Sequence, residues 1–162
     1  MILIDTSVYI AAIADDQLEK LLEELSQKIF IQSCDVVEVE IQDSSEHLRR
    51  TNRKQQAEEL KLIYNKIREG TITTTPRIVN LAREYHEESD LSKKQQKDIE
   101  NDFLIVASAS VGGIKTIMSF NRKTMASEEM RKVYNIVNTR SNCITPVFIT
   151  TREELSKLLK FS

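Results

Sequence analysis

Glycine and proline are scarce in this sequence, three and two residues among 162. That scarcity leaves little room for disorder or for long structureless loops. Cysteine is equally thin: Cys34 and Cys143 stand far apart and outside any CxxC pattern, so neither a zinc site nor a disulfide scaffold is indicated. The two histidines, His47 and His86, fall outside metal-ligand spacing and read as helix-surface residues. No stretch approaches the length of a transmembrane span, and no basic, apolar leader opens the chain, so the expectation is a cytoplasmic protein with no membrane partner. An excess of one charge sign is missing too. A formal net charge of −2 does not announce a nucleic-acid binder.

What is present is ordinary in bulk and uneven in detail. Hydrophobic residues at 40% and charged residues at 30% fit one soluble globular domain, expected to span 1–162 with a real core. The opening run Met1-Ile2-Leu3-Ile4 is apolar throughout, as in a strand buried on both faces of a parallel sheet, and it ends in a carboxylate, Asp5. Thr6 and Ser7 supply helix-starting hydroxyls ahead of Val8 to Ile13. Asp5 should therefore lie at the carboxyl end of a central strand beside a helix start, where open α/β sheets bind ligands. The plainer reading is that Asp5 caps that helix.

Farther along, Asp15 to Lys28 has leucines at amphipathic helical spacing, and Ile29-Phe30-Ile31 is a short strand-type run. Ser33 can cap a helix that begins near Cys34 and continues toward Leu48; a second helix occupies 55–68, and Gly70 stops it. Thr71 to Thr75 suits a strand or an extended connector, and Pro76 the first turn of a helix through Tyr85. Ser92 caps a helix that contains Lys97 to Val111 and ends at Gly112-Gly113. Lys115 to Phe120 reads as a second buried strand ending in Asn121, with 133–137 and 143–148 as lesser strand candidates before a closing helix over 152–159. Strands alternating with helices predict a single α/β domain with a central, mainly parallel sheet of four or five strands flanked by helices.

The acids are the chemical signal. Asp98 and Asp102 are four apart, so a helix puts them on one face, and beyond Asp102 that helix turns apolar and small, fit to pack on a sheet. Asp98 also reads as a plain surface acid. In Val37-Glu38-Val39-Glu40-Ile41 a helix singles out Glu40 beside the inward Val37 and Ile41, whereas a strand would put both glutamates on one face. Asp5, Glu40, Asp102 and Asn121 thus each fall at a strand end or at a sheet-packed helix. Carboxylates gathered there repel one another until a divalent cation intervenes, and hard oxygen ligands select Mg²⁺ or Mn²⁺. Charge is patchy as well: residues 15–24 are acidic, while Arg49, Arg50, Arg53 and Lys54 form a basic run that is either a phosphate contact or a solvated helix face.

Four elements together, Ile2-Leu3-Ile4-Asp5-Thr6-Ser7, Val37 to Ile41, Asn101-Asp102 with Leu104 to Ala109, and Ser119-Phe120-Asn121-Arg122, resemble the PIN-domain family, metal-dependent ribonucleases that include toxins of prokaryotic toxin–antitoxin pairs. The resemblance implies an acidic pocket at the strand ends and Mg²⁺- or Mn²⁺-assisted cleavage of RNA. It makes Asp5, Glu40 and Asp102 metal-binding acids, with Asp98 a further one, and Thr6 and Ser119 groups that orient the carboxylates. Asn121 stands where many members carry Asp; it is left to act through its carbonyl oxygen or by holding a water. Arg49, Arg50, Arg53, Lys54, Arg122 and Lys123 are expected to contact the RNA backbone. The resemblance further implies a homodimer and an antitoxin partner.

Rival readings keep the fold and change the chemistry. A PIN-like module that binds RNA in processing or ribosome maturation without cutting it draws on Asn121. An aspartyl-nucleophile phosphatase wants an acid two residues after Asp5, and Ser7 stands there. A dinucleotide-binding domain lacks its glycine-rich turn after the first strand.

Overall fold

Five short strands and eight helices alternate along the chain in the computed structural model, which describes residues 1–161. In order they are β1 (Ile2–Ile4), α1 (Thr6–Ala12), α2 (Asp16–Lys28), β2 (Ile31–Cys34), α3 (Asp35–Arg50), α4 (Lys54–Ile67), β3 (Gly70–Ile72), α5 (Pro76–Glu88), α6 (Lys93–Val111), β4 (Thr116–Met118), α7 (Glu128–Arg140), β5 (Val147–Ile149) and α8 (Arg152–Lys160). The strands form one sheet in the order β3-β2-β1-β4-β5, parallel throughout. This is the single α/β domain that the alternation of patterns predicts.

Burial explains the sheet's centre. Ile2, Leu3 and Ile4 are at most 1% exposed, because β1 is flanked by strands on both edges and covered on both faces. From β1 the sheet grows outward through β2 and β3, then restarts on the other side with β4 and β5. Strand order therefore reverses between β1 and β4, and a crevice opens beyond the carboxyl ends of those two strands. Asp5 directly follows β1, and Ser119 directly follows β4.

Helix α6 closes over this seam with buried small residues, Ala107, Ser108, Ala109 and Ser110, alongside Phe103 and Val106. Its start is a full capping box between Ser92 and Gln95, and it ends at Gly112 and the left-handed Gly113 (φ 72°). Thr75 caps α5 with Pro76 in its first turn.

Several boundaries differ from the sequence reading. Residues 133–137 are helical, not a strand: Met130, Val133, Tyr134 and Val137 are buried at 3.6-residue spacing behind the cap Ser127. Four β-branched and aromatic residues in that stretch imitate a strand locally, and the longer period decides. The second strand is shifted toward the carboxyl end, to 31–34, since Ile29 still accepts its place as the end of α2. Cys34, not Ser33, sits at the start of α3, and the Ser33 hydroxyl instead meets the Tyr64 hydroxyl at 2.9 Å. Gly70 opens β3 rather than ending α4, whose last residue is Ile67; a side chain at 70 would have to displace the amide end of Gln32. His86 is half-buried against the Phe103 ring rather than a surface residue, 4.5 Å between ring centres.

Candidate metal and catalytic cleft

Four acids from three separated parts of the chain line one cleft beyond β1 and β4. Its walls are Asp5, Thr6, Ser7 and Ile10 from β1 and α1, Glu40, Asp43 and Ser44 from α3, Asp102 from α6 and Asn121 from the loop after β4, enclosing about 390 Å³. Asp5 is 5% exposed and occupies the N-cap position of α1, but its side chain makes no cap bond. Its Oδ2 instead accepts from Ser7 Oγ (2.6 Å) and Ser119 Oγ (2.8 Å). Those hydroxyls accept in turn from the backbone N–H groups of Phe120 and Asn121, both at 3.1 Å. The backbone N–H of Asp5 also donates to the Met118 carbonyl. The first acid is thereby stitched to the end of β4.

Glu40 and Asp102 are held in the same manner. Thr6 Oγ1 donates to Glu40 Oε2 at 2.6 Å and Asn101 Nδ2 to Oε1 at 2.9 Å. Thr124 Oγ1 donates to Asp102 Oδ2 at 2.6 Å, and Asn121 Nδ2 reaches the same oxygen at 3.1 Å. The other end of the Asn121 amide, Oδ1, accepts from the Thr124 backbone N–H (3.2 Å) and lies 2.8 Å from its hydroxyl. Both ends of that amide are therefore engaged within the protein, and its carbonyl is not the free ligand that the sequence suggested.

Electrostatics follow from crowding. Burial pushes the Asp102 carboxyl up to about 7, and the neighbouring Asp5 and Glu40 charges add to it against the opposing bonds from Thr124 and Asn121. Glu40 is raised as well, first by burial and then by Asp5 and Asp43, against the bonds from Thr6 and Asn101. Acids driven toward neutrality beside one another form a place where positive charge is wanted.

Comparison with known families gives a match to the PIN domain model over residues 2–127, which contains all of these side chains. The chain belongs to the PIN-domain family. PIN domains are generally nucleases and generally use divalent metal ions. The fold also resembles a chain in the crystal structure of VapBC2 from Rickettsia felis bound to a DNA fragment from their promoter. That likeness has a TM-score of 0.56 and 22% sequence identity, over 76% of this chain and 90% of that one. No curated protein matches.

The residues of this PIN domain suit a hard cation by donor type, since every acid offers carboxylate oxygen. Oδ1 of Asp5 and Oδ1 of Asp102 accept no protein hydrogen bond among the described residues, while Oδ2 of each is bonded twice. One or two carboxylates completed by water is the usual Mg²⁺ arrangement. Among the described residues, no three His, Cys, Asp or Glu side chains already stand as a ligand group. Both oxygens of Glu40 are taken by Thr6 and Asn101.

Of the residues singled out from sequence, Asp5, Thr6, Glu40, Asp102 and Asn121 line the cleft and Ser119 bonds Asp5. Glu38 points elsewhere on α3 and lies 3.7 Å from Arg68, as a helix requires. Asp98 is exposed and lines a different depression, one turn away, with Lys123 and Thr124. Among the basic residues, Arg49 is paired with Glu58 (2.6 Å) and Arg50 with Glu46 (3.7 Å). Lys54 and Arg122 are exposed, and neither lines the cleft. Arg53 alone of the run borders a depression that adjoins the acids. Sequence reasoning missed Asp43 and Ser44, although their spacing of three and four from Glu40 was a usable signal. It also missed Asn101 and Thr124, which only the folded arrangement brings to their acids.

Proposed function

We propose that the chain hydrolyses RNA phosphodiester bonds with the help of Mg²⁺ or Mn²⁺, as the toxin of a toxin–antitoxin pair. The observation that carries this reading is the convergence of Asp5, Glu40 and Asp102 on one switch-point cleft, with Asp102 pushed up to about 7 by burial and its acidic neighbours. Asp5 and Asp102 would hold the cation through their unbonded oxygens. A bound divalent ion lowers the pKa of water and offsets charge developing on a transferring phosphate. Glu40, fixed at both oxygens, positions the attacking water and accepts its proton. Thr6 and Asn101 orient Glu40; Ser7 and Ser119 orient Asp5; Thr124 and Asn121 orient Asp102.

Support for RNA as substrate is the family's general nuclease character together with the four motifs given above. An antitoxin partner is supported by the toxin–antitoxin neighbour, and a second copy of the chain by apolar Val79 and Ile136, exposed on the packed helices α5 and α7. No helix among the described residues is long and apolar enough to cross a membrane, and the proposed place of action is the cytoplasm. The test is cleavage of labelled RNA with Mn²⁺, with EDTA, and with Asp5→Asn and Asp102→Asn proteins that retain the native circular dichroism. Loss of cutting in EDTA and in both variants is expected. Full activity in both variants would overturn the mechanism.

A second reading, an RNA-binding module without catalysis, draws on Asn121 in a position where an acid would add charge. Calorimetric titration with Mn²⁺ separates the two, because a cleft without ion affinity leaves only binding.

A further inference from the structure

Next to the acid cleft lies a larger depression of about 560 Å³, lined by Ile10, Ile13, Ala14 and Leu48 and by the polar Asp43, Ser44, His47, Arg53 and Gln56. Ile10, Asp43 and Ser44 border both, so the two make one groove. One wall is a single face of α3: Asp43, Ser44, His47 and Leu48 lie three, four, seven and eight residues beyond Glu40. From Glu40 to His47 that face advances about 10 Å. The groove thus runs from carboxylates at one end to His47 and Arg53 at the other.

The geometry points to this second depression as the seat of a nucleobase adjoining the cleaved phosphodiester, so that the protein selects its RNA by base as well as by backbone. The inference rests on the nuclease reading of the acid cleft. Its physical basis is the lining. A nucleobase of a single strand has apolar faces and a hydrogen-bonding edge, and proteins recognise it by packing one and bonding the other. Ile10, Ile13 and Leu48 offer the apolar surface, and Gln56 and His47 the edge partners.

Among the described residues the side chains of Asp43, Ser44, His47 and Gln56 make no hydrogen bond or ion pair to the protein. Arg53 uses only its Nε, toward Thr51 Oγ1 at 3.3 Å, and leaves both terminal nitrogens for a phosphate. A partner helix packed on its apolar side here would cover these polar ends and leave them unpaired, at about 1–3 kcal/mol each. An RNA strand satisfies them. The acid cleft and the basic far end also match a strand whose one phosphate is met by a cation and whose next is met by arginine.

Two measurements on the full chain test this. Cleavage sites in a randomised RNA pool are mapped for the wild-type protein, Gln56→Ala and His47→Ala. Binding of labelled hexanucleotides of A, C, G or U is followed by anisotropy in an Asp102→Asn background with Mn²⁺. Both substituted residues lie outside the catalytic set, and neither is buried. The expected result is a base preference at one position beside the cut, with the matching hexanucleotide bound best, and a roughly tenfold loss of that preference in Gln56→Ala. Cutting with unchanged preference in both variants would overturn the inference alone, as a groove serving a partner helix would give. Failure of the wild-type protein to cut any RNA would overturn the nuclease reading along with it.

Discussion

Two buried polar networks in this fold solve the same problem in opposite ways. Between α5, α6 and α7, the Tyr85 hydroxyl donates to Asn138 Oδ1 at 2.6 Å, and Asn138 Nδ2 donates to Ser110 Oγ at 3.1 Å and toward Thr145. Every group there is neutral, and donors are matched to acceptors. At the switch-point cleft the hydroxyl and amide donors are equally well aimed, yet they meet carboxylates, and acceptors with negative charge are left in excess. The first network holds helices together. The second gathers negative charge that a bound cation would offset.

The sharpest way to break the contrast is to remove an acid. Asp5→Asn or Asp102→Asn is expected to lower Mn²⁺-dependent RNA cleavage by at least about a hundredfold, measured as kcat/KM on folded protein. Next in size, Asn138→Ala removes the 2.6 Å bond from the Tyr85 hydroxyl and the 3.1 Å bond to Ser110, leaving those two groups only their mutual 3.3 Å contact in the core, at about 1–3 kcal/mol in all. Thermal melts should show a drop of several degrees, with cleavage per folded molecule unchanged. A loss of activity larger than the loss of folded protein would mean that the two networks are coupled.

Thr124→Val tests the holding of Asp102 by itself. It removes the 2.6 Å bond while keeping shape, and Mn²⁺ affinity by calorimetry is expected to fall about tenfold with little change in melting temperature. The smallest effect concerns pH. Asp102 titrates near 7 when folded and near the ordinary value of about 4 when unfolded, so the folded protein binds the extra proton between those limits. Stability of the metal-free protein should therefore fall as pH rises from about 4 to about 7 and level off above. In Asp102→Asn that part of the slope disappears, and at pH 8 without metal the variant should melt a few degrees above wild type. Equal melting of the two proteins at pH 8 would show that the cleft stores no such repulsion.

Much of this was legible in the sequence where one local pattern had a single physical solution. A short β-branched run ending in Asp5 reads as a central strand, and Ser92 to Gly113 carries both ends of its helix. Glu40 emerged once the segment was read as helical, because Glu38 then turned away. Residues 133–137 were misread because five residues of mixed β-branched character cannot separate a period of two from one of 3.6. Asp98 is grouped with Asp102 by helical spacing and by the family resemblance, but one turn of helix carries it into a separate depression with Lys123 and Thr124. The engagement of Asn121 with Thr124 lay beyond any pattern, since a loop sets it. The exposed ion pair of Arg49 with Glu58 likewise needed the fold, since no spacing rule on one helix couples Arg49 to the next helix.

The bond from Ser119 to Asp5 joins residues 114 positions apart, and the strand beside it is the fourth to be made. During synthesis the first acid waits, without its anchoring hydroxyl, until 114 further residues have been added. A growing fragment shorter than that holds Asp5 but neither Ser119 nor the loop that fastens Asp102. If the cleft cuts RNA as proposed, it cannot be assembled before those later residues are made.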